Sequence, residues 1–368
     1  MSPNPSGLGQ ATDRRTFIAA AGAAGAAAAS GASLAGVQVA QAQPAPSAGP
    51  ADLRPVITRK AGKADVTLTA LGLGTFLTFD LLPGADRRHL RDVTRTYVDA
   101  NVGVVDTSPL YGTGEVSTGA FLSAMGVSDK LFISNKIWST GDFLADESHA
   151  LRSFEQSLLR LWRSKIDLMF CHSLVNVDVA LPILRAWKKE GRLGHVGASH
   201  HENPYHPILA ALVERDQLDF VQVNYSIFNR GAEERLLRAA ADKGVGVFVN
   251  MPLEKGRLHK VVGTRPLPDF AKEFGATTWA EFFIKWVMGN PAVTTVLTAT
   301  SNPAHAAENV AALRGPLPDQ AMRQRMVRHM ETIPGFDTLA SLPWYPDKQA
   351  QYQGVIRREQ ARLRQRSA

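Results

Sequence analysis

From Arg54 to Leu313, short runs rich in Val, Ile, Leu and Phe alternate with stretches whose apolar residues recur three and four apart. The first pattern reads as a buried strand and the second as a helix with one face inward. Strands are expected over Val66–Phe76, Gly103–Asp106, Leu131–Lys136, Ile166–His172, Gly194–Ser199, Phe220–Tyr225, Val245–Asn250 and Val293–Thr300. Helices are expected over Asp86–Ala100, Glu115–Met125, Glu147–Trp162, Val179–Glu190, Pro207–Glu214, Ala232–Lys243, Trp279–Met288 and Pro303–Leu313. In the third helix Leu151, Phe154, Leu158 and Leu161 fall on one face, and the fourth closes at Gly191. Such alternation predicts an α/β fold, a single (β/α)8 barrel, rather than an open sheet. No G-x-G-x-x-G follows the first strand, which argues against a dinucleotide-binding open sheet.

The 368 residues leave room for one barrel of about 250 plus accessory segments. The divisions expected are a leader over 1–42, a linker over 43–56, the barrel over 57–333 and a C-terminal loop with a basic tail over 334–368. The formal charge of +7 is partly terminal, in Arg14, Arg15, Arg357, Arg358, Arg362, Arg364 and Arg366. Without a concentrated basic patch or a recognised motif, a nucleic-acid surface is not expected. Cys171 is the single cysteine, so no internal disulfide can form. Strand alternation puts it on the face opposite His172, as a buried thiol.

In the leader, Arg14-Arg15-Thr16-Phe17 precedes an Ala/Gly-rich apolar run and Ala40-Gln41-Ala42, which resembles a twin-arginine export signal. Cleavage after Ala42 would leave Gln43 first and no stable membrane insertion; the alternative is an uncleaved anchor over Phe17–Ala40. The resemblance implies a periplasmic or otherwise exported protein, with the twin-arginine machinery as a partner.

Four chemistry-bearing residues lie at or just past strand ends: Asp106, Tyr111, Lys136 and His172. About one βα unit separates Asp106 from Lys136 and Lys136 from His172, so a parallel barrel brings them to one face. A carboxylate, a phenol, an ammonium and an imidazole gathered there make a proton-donating site. Individually each has a structural explanation, as a helix cap or a packed side chain; their phase at successive strand ends favours function. His200, His201 and His206 lack a further ligand at fixed spacing, so no metal site is expected.

The order of Leu71-Gly-Leu-Gly-Thr75, Asp106-Thr-Ser-Pro-Leu-Tyr111-Gly, Ser134-Asn-Lys136-Ile-Trp138, the His172 segment, Gln222-Val-Asn-Tyr225 and Thr300-Ser-Asn-Pro resembles the aldo/keto reductases over roughly residues 57–315. The resemblance implies hydride transfer between a nicotinamide nucleotide and a small carbonyl compound or alcohol. Tyr111 would then be the general acid, with a phenol pKa ordinarily near 10 lowered by Lys136. Asp106 would hold Lys136, and His172 would be a neutral donor to the developing oxyanion. Gly74, Thr75, Asp106, Ser199, His200, Gln222 and Asn250 would meet the nicotinamide half of the cofactor. Leu253, Gly256 and Leu258 would face the pyrophosphate, and Thr300, Ser301, His305, Glu308 and Asn309 the adenosine end. Phe76, Phe79 and Trp138 either wall an apolar substrate pocket or simply pack.

Departures from the family pattern bear on the cofactor. Ser199-His200 stands where relatives read Ser-Asn, and Asn250-Met251-Pro252 where a stacking aromatic is common. Ala299 and His305 replace a Lys and an Arg frequent in NADPH-preferring relatives, so NADP(H) is the first expectation and NAD(H) the second. The alternative reading is a nicotinamide-binding, redox-sensing barrel with little turnover. A barrel hydrolase ranks last, lacking paired carboxylates or a metal set. Specificity would reside in the loops Thr78–Ala85 and Ser139–Asp146 and in the segment after Asp337.

Overall fold

The computed structural model describes residues 54–81, 84–138 and 147–344. The leader, the linker as far as residue 53 and the basic tail from 345 onward lie outside the described residues, as does the 139–146 loop. Among the described residues no helix is long and apolar enough to cross a membrane.

The first elements, β1 (Thr58–Ala61) and β2 (Val66–Thr69), form an antiparallel hairpin. Eight parallel strands then follow: β3 (Leu71–Gly74), β4 (Val104–Asp106), β5 (Phe132–Ile137), β6 (Ile166–Cys171), β7 (Leu193–Ser199), β8 (Phe220–Asn224), β9 (Gly246–Asn250) and β10 (Thr295–Thr298). They close in sequence order, with β10 returning to β3, as the (β/α)8 barrel expected. The helices between them are α1 (Arg88–Asp99), α2 (Gly114–Ala124), α3 (Glu147–Leu161), α4 (Val177–Lys189), α5 (His206–Glu214), α6 (Leu236–Lys243), α7 (Arg257–Val262) and α8 (Trp279–Met288). After β10 come α9 (Pro303–Ala311) and α10 (Gln320–Glu331).

Three sequence expectations change. The single strand Val66–Phe76 is two, because the chain turns at Ala70 and leaves the hairpin before entering the barrel. Thr69 fixes that turn: its hydroxyl donates to the Leu71 carbonyl (2.8 Å) and accepts from the Gly103 amide (3.0 Å). The helix expected from Ala232 starts at Leu236, after the short 3-10 turn Gly231–Glu233. Neither α7 nor α10 was expected. In α10 the buried face is as narrow as Met326 and Met330 in a basic stretch, and the N-cap Asp319 accepts from Met322 N (2.8 Å).

Strand alternation sorts the barrel interior into a dry lower half and a polar rim. Val104, Leu168, Phe170, Phe220, Phe248 and Leu297 fill the lower half, and Ala61 and Leu68 of the hairpin pack into the same cluster from below. Gly197 admits this filling: a Cβ there would run into the Phe170 ring and the Phe220 carbonyl. One pleat higher, β4 and β5 present Asp106 and Lys136 to the rim, and Cys171 ends β6 buried on the other face. Burial pushes that thiol up to about 12, and Sγ rests on the Val175 carbonyl (3.4 Å), so it is inert packing.

Outside the barrel, α2 and α3 meet at Gly119, where a Cβ would strike the Arg160 carbonyl and Leu161 Cα. Backbone cannot give way as a flexible side chain can, so Gly119→Ala is expected to destabilise the fold by about 1–3 kcal/mol. The measurement is urea unfolding; an unchanged midpoint would show that the two helices separate freely.

Candidate active site

The carboxyl ends of the strands open into a cavity of about 810 Å³. At its floor Lys136 is fully buried, and its ammonium donates to Asp106 Oδ2 (2.7 Å) and to the Thr107 carbonyl (2.8 Å). Asp106 Oδ1 accepts from Ser134 Oγ and from Gln222 Nε2 (3.0 Å), and the Thr75 hydroxyl donates to the Asp106 carbonyl (3.0 Å). The carboxylate thus joins β4 to β5 and β8, and the carbonyl of the same residue takes the Thr75 hydroxyl just past β3. Burial pushes the Lys136 ammonium below its ordinary value, against the opposing pull of Asp106 and then of Glu115. Glu115, itself buried, accepts from Asn135 Nδ2 (2.9 Å) and from Arg160 (3.0 Å).

Lys136 Nζ lies 4.9 Å from the centre of the Tyr111 ring. Tyr111 follows β4 on a turn closed by its own amide, which donates to the Ser108 carbonyl (3.0 Å). Its ring is edge-to-face with Phe76 (5.0 Å between centroids) and with His172 (5.9 Å). His172 begins the short 3-10 turn after β6 and pairs through Nδ1 with Ser108 Oγ (3.1 Å). In the tautomer where Ser108 donates to Nδ1, Nε2 carries the proton. Burial, and next the charge of Lys136, push this imidazole down to about 3, so it is neutral near pH 7. The four strand-end residues therefore share one floor: a carboxylate-held ammonium beneath a phenol, with a neutral imidazole beside it.

The expected cofactor residues fall around the same cavity. Gly74, Thr75, Asp106, Ser199, His200, Gln222, Asn250, Leu253, Gly256, Thr300, Ser301, His305, Glu308 and Asn309 line it. Asn309 is braced from behind, its Nδ2 donating to the Tyr97 hydroxyl (3.2 Å). Leu258 was expected for its backbone; its side chain is fully buried in the core, where α7 turns it, and the residue is not among those lining the cavity. Of the three aromatics, Phe76 lines the cavity. Phe79 is fully buried with its ring packed against Phe121, and half-buried Trp138 is not among the lining residues.

His200 stacks on Tyr205 (3.6 Å between centroids), with burial pushing it down to about 4, and His206 bonds Asn224 (2.8 Å). Among the described residues no group of His, Cys, Asp or Glu is placed to hold a metal ion.

Sequence reasoning missed His201, Met251, Lys255 and Trp344 in the cavity wall. Lys255 sits inside the Leu253–Leu258 segment, where only backbone was expected to matter. Trp344 comes from beyond the barrel, after the 3-10 turn Leu339–Ser341 that buries Leu339. The one signal for it was the aromatic density of Leu342-Pro-Trp-Tyr-Pro346.

The chain is similar to known proteins over most of its length. The NADH-specific methylglyoxal reductase of Escherichia coli (strain K12) is 24% identical over 313 residues, covering 70% of this chain and 94% of the relative. A solved chain from Pseudomonas aeruginosa, assigned as an aldo-keto reductase, is 26% identical with a TM-score of 0.56, covering 70% of this chain and 94% of that one. An aldo/keto reductase from Klebsiella pneumoniae, solved with NADP and acetate, shares the fold with a TM-score of 0.62 at 22% identity, covering 74% and 94%. The aldo/keto reductase family profile matches residues 70–326, from the threshold of the first barrel strand into α10. That span exceeds half of the chain, and the protein belongs to the aldo/keto reductase family.

Proposed function

We propose that this protein reduces an aldehyde or ketone to an alcohol, or runs the reverse reaction, with a nicotinamide nucleotide and with Tyr111 as the general acid or base. The observation that carries the reading is the buried Lys136 ammonium, fixed by Asp106, under the Tyr111 ring. A nearby positive charge favours the phenolate and makes the phenol a better proton donor. His172, neutral and anchored by Ser108, would donate a hydrogen bond to the carbonyl oxygen as negative charge builds there.

The cavity suits the nucleotide. Asn250 Oδ1 is a buried acceptor without a partner among the described residues, and Gln222 offers an amide beside it in the same wall. With Ser199 and His200 these would hold the carboxamide; Gly74, Thr75 and Asp106 would border the ribose. Leu253 and Gly256 would meet the diphosphate, and Thr300, Ser301, His305, Glu308 and Asn309 the adenosine end. The bound nucleotide would supply the hydride. No Lys or Arg lies between Thr300 and Asn309, so pairing with a 2′-phosphate would fall to His305. NADP(H) remains the first choice and NAD(H) the second; of the three named relatives, one is described as NADH-specific and another was solved with NADP. The leader, read from Arg14-Arg15 and Ala40-Gln41-Ala42, supports work outside the cytoplasm.

Tyr111→Phe is expected to lower kcat with an aldehyde panel by about 100-fold or more, while NADPH and NADH still bind in a tryptophan-quenching titration. Activity that survived the substitution would remove Tyr111 from the proton step.

His172 gives a pH prediction. Its folded value, about 3, lies below the unfolded value of about 6.5, so the unfolded chain binds more protons between them. The stability drawn from a neutral His172 is complete above that window and is lost as pH falls through it. By pH 5 the loss is about 2 kcal/mol. Urea unfolding of the wild type and His172→Gln at pH 7 and pH 5 measures it; equal pH dependence in the two proteins would show that His172 is not held neutral. For the leader, residues 1–42 fused to a folded reporter should direct export, and Lys in place of both Arg14 and Arg15 should block it.

A further inference from the structure

Lys255 projects into the cavity from the loop after β9, and the proton-transfer chemistry has no use for it. Its backbone is in the left-handed region, flanked by two more such residues: φ is 51° at Glu254, 52° at Lys255 and 86° at Gly256. A non-glycine pair in that region persists only where the surroundings impose it. Here a buried ion pair does so, Arg257 Nη2 to Glu254 Oε2 at 2.5 Å. Ser226 Oγ donates to the other Glu254 oxygen (2.7 Å), and Arg257 Nη1 donates to the Ala340 carbonyl (3.3 Å). The neighbouring carboxylate is therefore committed to Arg257 and Ser226. The next one, Glu202, faces His201 (3.9 Å).

The Lys255 ammonium is left against two rings, 2.9 Å from the centre of Trp344 and 5.2 Å from that of Phe76. No carboxylate among the described residues accepts from it. Phe76 packs on Tyr111 at 5.0 Å, so the ammonium lies no more than about 10 Å from the phenol ring, on its apolar side. Burial, then the charge of Arg257, push Lys255 down to about 7. A partly desolvated cation with ring faces in place of a counter-ion is a binding site for an anionic oxygen.

We propose that Lys255 is the specificity-determining cation of this cavity, selecting carbonyl substrates that carry a carboxylate or phosphate group on a short chain. The proposal rests on the carbonyl-reductase reading and names its substrate class. The cofactor's diphosphate is the other source of such oxygens, since Leu253 and Gly256 share the loop. The contact route through Phe76 to Tyr111 favours the substrate. Neither ring that holds Lys255 belongs to the Thr300–Asn309 segment.

The test compares 4-oxobutanoate and 6-oxohexanoate with their methyl esters, using the full chain saturated with whichever nucleotide binds. The acid should be favoured over its ester in kcat/KM, with the preference carried by KM. Lys255→Met should reduce that preference by about tenfold, and Lys255→Arg should retain most of it. Nucleotide affinity is read in parallel by tryptophan quenching. If Lys255→Met weakens NADPH and NADH binding tenfold or more and leaves the acid-to-ester ratio unmoved, the ammonium serves the diphosphate and the proposal fails. If the nucleotide binds but no aldehyde is reduced, the carbonyl-reductase reading fails by itself. Calorimetry of adipate against dimethyl adipate on the nucleotide-bound protein then decides the role of Lys255. Preference for the diacid that disappears in Lys255→Met supports an anion site, and equal binding of the two overturns it.

Discussion

The contact on which the site depends is the buried pair of Lys136 and Asp106. Two opposite charges removed from water pay a large desolvation penalty, and their mutual attraction offsets it only with good geometry and further hydrogen bonds. Both conditions hold, since the ammonium has a second acceptor in Thr107 and the carboxylate two further donors in Ser134 and Gln222. Leaving one partner buried alone would cost about 3–5 kcal/mol, whereas packed apolar residues could serve the fold equally well. Stability by itself gives no reason for a charge at this depth. Its place, 4.9 Å from the centre of the Tyr111 ring, is the one the proposed proton transfer calls for, and its hydrogen bonds tie the ends of β4, β5 and β8 into one floor.

Above that floor the walls come from less regular pieces. Phe76 belongs to the loop after β3, Met251 and Lys255 to the loop after β9, and Trp344 to a segment that has already left the barrel. The buried Glu254–Arg257 pair links the last two by bonding the Ala340 carbonyl. A single ion pair thus fixes both the left-handed loop and the strand of chain that carries Trp344. Beside the cavity, an open groove of about 990 Å³ shares Met251, His201 and Trp344 with it, so the indole stands as a partition between the two spaces.

The barrel was legible because each strand is a short apolar run and each helix carries an apolar face. The floor of the candidate site was legible for a related reason: Asp106, Lys136 and His172 lie at strand ends, and parallel closure leaves strand ends no choice but to meet. Where one element was read across two the reading failed, as at Val66–Phe76, where the apolar alternation of Val66, Leu68 and Ala70 shifts phase to Leu71 and Leu73 at the turn. Phe79 shows the limit for aromatics, since a ring facing a ligand and a ring facing a helix look identical in sequence. Lys255 and Trp344 were hidden because their positions come from an ion pair and from chain beyond the barrel, neither of which leaves a periodic trace.

The hairpin of β1 and β2, with the Phe132, Phe170, Phe220 and Phe248 rings packed above it at tilted and edge-to-face angles, has a bearing on proton traffic. Among the described residues the ammonium hydrogen-bonds Asp106 and Thr107 on its own level, while His195, the imidazole within that lower half, packs on Phe132 and Phe220 and has no hydrogen bond to Lys136. A proton reaching or leaving the floor would then travel by the mouth, alongside any bound ligand. Reprotonation of the floor then becomes a step in competition with occupancy: the same doorway that admits a ligand is closed to the solvent proton while the ligand is inside.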